Sequence, residues 1–245
     1  MSLNRKHITL GFLSIVSIVL YLLDYLIIGN YRDIASSFLG NLAFLPVYVI
    51  FITLIVEQIM RERERQTIMR KLNMVIGVFF SEVGNHLLKE LSTCVVMCDQ
   101  LKRRLIVSGQ WKDEDFRQVL EFLDSHDLRI DCTGSDKGAL KTFLTGKRSF
   151  LVGLLENQNL LEHEQFTDLL WSVFHLLEEL EARHTFDGMP KTDVDHLNGD
   201  IKRAYSVLTR EWVLYMKHLK VDYPYLFSLA VRMNPLLENQ DPHVY

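Results

Sequence analysis

Three pairings of an acid with a histidine have the spacing that chemistry on a helix would need: His175 with Glu178, Asp193 with His196, and Glu82 with His86. Separations of three or four residues put both members on one helical face. With Glu211 added, these are the ligand types of a di-iron bundle, in which two helices supply Glu-x-x-His and two more supply Glu. The match is poor: one pair is reversed, one uses Asp and one has the longer spacing. A chain with nine His and 31 acids makes such pairs by chance, so they read as helix-surface pairs and no metal ligand is assigned. Cys94 and Cys98 lie four apart and share a helical face, but there is no C-x-x-C and no second pair. They read as buried thiols in a helical core and a reducing compartment.

Other chemical motifs fail on inspection. Thr145-Gly-Lys-Arg-Ser149 contains Gly-Lys, without the earlier Gly or the Ser/Thr directly after Lys147 that a phosphate-cradling loop requires. There is no HExxH, GxSxG or GxGxxG. Catalytic residues therefore stay unknown, no cofactor is assigned, and no enzyme class is supported. The densest run of unusual residues is aromatic. Tyr205, Trp212, Tyr215, Tyr223, Tyr225 and Phe227 fall within 23 residues. They read first as a packed core edge and second as a partner-binding surface.

These residues hang on a chain with a marked asymmetry. Residues 8–29 carry one charge, Asp24, and residues 38–60 carry one, Glu57. Each stretch exceeds the ~20 apolar residues that cross ~30 Å of hydrocarbon, and in lipid such a segment must be helical. The polar turn Asn30–Ser37 between them makes a helical hairpin. No A-x-A-like site follows the first stretch, so it reads as an anchor and not as a cleaved leader. Arg5 and Lys6 precede the hairpin, Arg32 lies in its turn, and Arg61, Arg63, Arg65, Arg70 and Lys71 follow it. By the positive-inside rule both termini are expected in the cytoplasm. Asp24 would then sit in the outer half of the first span, where it could snorkel or pair with Arg32. Pro46 is expected to kink the second span. Asn41 and Tyr48 are candidate helix-contact residues, and neither span has a GxxxG.

Beyond the hairpin the chain reads as all-α. Residues 72–245 carry 26 acids against 19 bases, which argues against a nucleic-acid partner. Ile68 to Val95 keeps a 3.6-residue apolar period, and no Pro occurs between Pro46 and Pro190. A long juxtamembrane helix reaching about Leu105 is expected, bent near Arg65 or Gly77. Further helices are expected over Lys112–Ser125, Ala139–Glu156 with Ser135 as N-cap, Gln165–Arg183 and Asp193–Lys220. Pro224 should open a last short helix that ends before Asn234-Pro235. The resulting organisation is 1–60 transmembrane hairpin, 61–107 long helix and 108–245 helical bundle.

Three segments resemble the signature stretches of an uncharacterised bacterial and archaeal family of two-span membrane proteins with a cytoplasmic helical domain. They are Phe44-Leu-Pro-Val-Tyr48, the run from Leu72-Asn-Met through Ser81-Glu-Val-Gly84, and the run from Arg203 to Pro235. The resemblance covers most of the chain from Phe38 onward. It implies a prokaryotic two-span membrane protein and carries over no catalytic or ligand residue.

The expectation is therefore an inner-membrane, multi-pass protein whose cytoplasmic helical domain serves protein interaction, scaffolding or signalling. Its partners are the lipid bilayer and either a second copy or another membrane protein. One alternative is a subunit of an oligomeric channel or transporter, motivated by Asp24, Asn41 and Pro46. A second is a metal-binding helical bundle with redox activity.

Overall fold

The computed structural model describes residues 15–20, 22–23, 25–26, 31–96, 98–157, 160 and 163–244. Among them the architecture is all-α, with one isolated antiparallel bridge, Val95 to Ile130, and no strand. The chain divides into two compact units, residues 1–65 and 66–245.

In the first unit the described residues between 15 and 26 are helical, and α1 (Tyr31–Phe79) begins immediately after the undescribed 27–30. The polar segment expected as a turn is thus largely helix: from Tyr31 to Ser37 there is neither Gly nor Pro, and Asp33 in the first turn complements the helix dipole. The helix runs on through Pro46 without a break. Every residue from 15 to 65 whose side chain is described is exposed, apolar ones included. Phe44 and Tyr48 touch along the helix with their rings tilted 54° to one another and centroids 5.5 Å apart. Asp24 lies outside the described residues.

The second unit has its own core. α1 ends at Phe79, a five-residue π-helical turn follows (Phe80–Gly84), and α2 (Asn85–Ser92) completes the segment. The helix therefore stops at Ser92, about a dozen residues short of the expected end. The reason is non-local. The Cys94 carbonyl accepts from the Asp131 N–H at 2.8 Å, the Val96 N–H donates to the Arg129 carbonyl at 2.9 Å, and Cys94 is joined to Cys132 by a disulfide. Cys94 is thus in a turn and cross-linked. It does not share a helical face with Cys98, which opens α3 (Cys98–Leu105).

α4 (Asp113–Ser125) starts with three acids, and the Asp115 carboxylate accepts from the Lys112 N–H. The single helix expected over Ala139–Glu156 is two, α5 (Lys137–Gly146) and α6 (Arg148–Leu155), separated at Lys147. The N-cap of α5 is Asp136, whose Oδ1 accepts from Ala139 N–H at 2.8 Å; the Ser135 hydroxyl instead donates to the Cys132 carbonyl.

The centre of the unit is a long helical pair. α7 (Glu164–Ala182) buries Phe166, Leu169, Leu170, Val173, Leu176, Leu177 and Leu180, one broad stripe at helical spacing. His163 caps its start, with Nδ1 accepting from Phe166 N–H at 3.1 Å. Gly188, at φ 70°, turns the chain in the left-handed region that glycine tolerates, and Pro190 caps α8 (Lys191–Asp222). α8 packs chiefly on α7 and also on α4, α2 and α9 (Pro224–Arg232). After α9, the wholly buried Asn234 donates to the Leu105 carbonyl at 2.9 Å and accepts from Leu236 N–H at 3.0 Å, which ties the C-terminal tail to the end of α3.

Candidate metal centre

Where α7 and α8 face one another, two histidines bracket two carboxylates. On α7, His175 and Glu179 are one turn apart; on α8, His196 and Asp200 are one turn apart. The His175 Nε2 lies 3.5 Å from Asp200 Oδ1 and 3.9 Å from Glu179 Oε1. The His196 Nε2 lies 3.3 Å from Asp200 Oδ2 and 3.7 Å from Glu179 Oε2. Each carboxylate thus turns one oxygen toward each imidazole. Ligand atoms of His175, Glu179 and Asp200 all lie within 4.8 Å of one another.

The cluster sits at the edge of the core. Asp200 is 4% exposed, on the same helical face as Leu197 and Ile201, and its Oδ2 has no hydrogen-bond partner. The histidines are half open, 43% and 55% exposed. Arg183 braces the other side: Nη1 donates to Glu179 Oε2 at 2.7 Å, and Nη2 and Nε reach Asp193 at 2.6 and 3.2 Å. The Arg183 hydrogen bond holds the Glu179 carboxyl below its ordinary range, against partial burial and with smaller help from Arg183's charge and the two imidazoles. The same guanidinium lowers Asp193 by hydrogen bonding, and Asp193 in turn is the main cause that raises Arg183. Arg203 Nη1 stands 3.6 Å from Asp200 Oδ1. A cavity of about 430 Å³, lined by Asp168, Trp171, Ser172, His175, Arg203 and Val207, opens beside His175.

The pairs singled out in the sequence are partly brought together. His175, Asp193 and His196 meet here, but Glu178 does not; it lies 3.9 Å from Arg148. Glu82 pairs with Lys147 at 2.9 Å, and His86 packs on Phe143 with centroids 4.1 Å apart. Lys147, from the failed phosphate motif, is therefore a tether between α5 and the π turn. Glu211 is buried on α8 beside a separate cavity, pushed up to about 7 by burial, with Arg210 pulling the other way from 3.7 Å. Sequence reasoning missed Glu179 and Asp200. Their signal was present as His-x-x-x-Glu and His-x-x-x-Asp, each an i,i+4 pair on its own helix.

The aromatic run divides. Tyr205, Trp212 and Phe227 are core. Tyr215 stacks on Phe80, with centroids 4.9 Å apart and planes 14° from parallel, and with Tyr223 it lines an apolar cavity of about 490 Å³. Tyr225 is 71% exposed.

Residues 68–232 match the model described as "Uncharacterized protein MJ1433, C-terminal helical domain", and residues 2–60 match its N-terminal helical domain. The chain belongs to the MJ1433 family. The "Uncharacterized protein MJ1433" of Methanocaldococcus jannaschii is 43% identical over 220 residues, covering 90% of this chain and 88% of that relative. No solved structure matches. The family's two helical domains meet between residues 60 and 68, where the two units of this structure also divide.

Proposed function

We propose that this MJ1433-family chain is a membrane-anchored protein: its first unit lies in the bilayer as a helical hairpin, and its second is an interaction module on the cytoplasmic side. The observation that carries the reading is the surface of α1. From Phe38 to Met60 its large apolar side chains are all exposed, Leu39 at 66% and Ile52 at 62% among them. Monomeric soluble proteins rarely expose contiguous apolar patches beyond a few hundred Å², whereas hydrocarbon is the natural solvent for such a surface. α1 is also the one described helix long and apolar enough to cross a membrane. The apolar run ends at Arg61, Arg63 and Arg65, all exposed, which supports orientation with this end inside.

Interaction as the duty of the second unit draws support from the apolar cavity near the α1–α9 side of that unit, lined by Met74, Val78, Trp212, Tyr215 and Met216 with exposed Leu226 and Leu229. The test is extraction of native membranes. The full chain should stay in the pellet after alkaline carbonate and leave only with detergent. Ser37→Cys should be alkylated by an impermeant reagent from outside intact cells, and a cysteine added after Tyr245 should not be. Recovery in the aqueous fraction without detergent overturns the reading, as does labelling of the C-terminus from outside.

A further inference from the structure

We infer that His175, Glu179, His196 and Asp200 form a binding site for a divalent transition-metal ion. This goes beyond the membrane reading and is independent of it, since all four residues lie within the second unit. Three observations converge. The first is ligand type: two imidazoles and two carboxylates are a donor set suited to Zn²⁺, Fe²⁺, Co²⁺ or Mn²⁺, harder than a thiolate site and softer than an all-oxygen one.

The second is spacing. Zinc bonds of about 2.0–2.2 Å in a tetrahedron put neighbouring ligand atoms about 3.3–3.6 Å apart. The four nitrogen-to-oxygen separations here are 3.3, 3.5, 3.7 and 3.9 Å. The two longer ones are beyond hydrogen-bond range, and Asp200 Oδ2 makes no hydrogen bond although it lies 3.3 Å from the His196 Nε2. His175, Glu179 and Asp200 each offer a ligand atom within 4.8 Å of the others, and the His196 Nε2 stands 3.3 Å from the second oxygen of Asp200.

The third is the state of Asp200. It is buried to within 4% of completely, and Oδ2 has no hydrogen-bond partner although it points at His196. Leaving a buried polar atom unpaired is costly, and a cation between the carboxylates and the rings removes that cost. The supports expected outside a metal site are also present. Arg183 fixes Glu179 through Oε2 and is itself fixed by Asp193. Metal-binding carboxylates are held by such outer partners. The cavity beside His175 gives an entry path from solvent.

The competing arrangement is an ion-pair cluster in which Arg183, Arg203 and the imidazoles serve the carboxylates with no metal. Titration decides between them. Full-length protein, purified in detergent, stripped with chelator and dialysed, is titrated with Zn²⁺ and separately with Co²⁺, and bound metal is counted by elemental analysis after gel filtration. The expected result is stoichiometric binding, a visible Co²⁺ absorption band of low-symmetry coordination, and affinity weakened at least tenfold in His175→Ala and in Asp200→Asn. Asp200→Asn disturbs a buried group, so the exposed-side variants His175→Ala and His196→Ala carry the comparison if it fails to fold. Glu178→Gln, one residue along α7 and outside the cluster, should bind like the parent. No retained metal, or equal retention by the parent and the His175→Ala/His196→Ala double variant, overturns the site.

Discussion

Glu211 shows how one buried residue sets a pH dependence for the whole second unit. Its carboxyl is 3% exposed and Oε1 has no hydrogen-bond partner. Burial raises its pKa from 4.5 to about 7 in the folded protein. Below pH 4.5 both folded and unfolded states hold the proton. As pH rises toward 7 the unfolded chain releases it first, so stability is lost over that interval and levels off above it. A shift of this size corresponds to about 3 kcal/mol. Glu211→Gln should flatten the profile between pH 5 and pH 8 and be the more stable protein at pH 8, as read by denaturant midpoints at the two pH values. A parent midpoint that does not fall over this range would count against burial of the acid. The same residue marks what a sequence can show at this scale. Glu211 was visible as an acid at helical spacing, but its burial without a hydrogen bond to Oε1 is a property of packing. Likewise, His175 and His196 stood out as candidate ligands, whereas Glu179 and Asp200 gain their meaning only when α7 and α8 lie side by side, which no spacing within one helix encodes.

At the scale of elements, helices were legible where the signals are local. The acids at the start of α4, the Gly188–Pro190 break and Pro224 at the head of α9 mark boundaries with their own backbone chemistry, and the structure follows them closely. The end of α2 was not legible, because it is imposed by partners far along the chain, Arg129 to Cys132. Removing that constraint should be measurable. The disulfide joins two residues 38 apart in the chain, Cys94 and Cys132, and loss of such a bond costs about 2–4 kcal/mol. Cys132→Ser should therefore lower Tm, and reduction of the parent should lower it to a similar value; a parent indifferent to reductant would show that the cross-link does not form in solution. The π turn makes a second, sharper case. Its extra residue per turn lets consecutive Phe79 and Phe80 both be fully buried, Phe79 edge-on to Phe166 and Phe80 stacked on Tyr215. Gly84 makes this possible: a Cβ there would meet Phe80 Cδ1 at 2.5 Å and Phe79 Cε1 at 3.0 Å. Gly84→Ala gains helix propensity of about 1 kcal/mol yet overpacks the turn, at a cost of about 1–3 kcal/mol or more where a rigid ring must move. Net destabilisation, with a changed near-UV signal from the Phe80–Tyr215 stack, is the expected outcome; a variant as stable as the parent would mean that both rings can give way.

For the whole molecule, the two units differ in what they ask of their surroundings. The second unit buries a continuous core from Leu72 to Leu236, with Trp212, Tyr205, Phe79, Phe80, Phe116 and Phe166 among its fully enclosed side chains. In the first unit, no residue with a described side chain is buried. A core of its own is what lets a domain fold alone, and apolar side chains without one need a bilayer or a partner. A chain starting at Gln66 should therefore be soluble without detergent, unfold in a single cooperative transition, and retain the metal binding inferred above with the full chain's stoichiometry. The complementary substitution tests the anchor: replacing Leu45, Ile52 and Ile55 together with Lys should abolish membrane retention of the full chain while leaving the melting of the second unit unchanged. Two results would separate the halves of this picture. If the truncated chain aggregates, the second unit depends on residues before Gln66 for its fold. If the triple-Lys chain still pellets with carbonate-washed membranes, attachment runs through the second unit, and the apolar surface of α1 serves a protein partner instead of lipid.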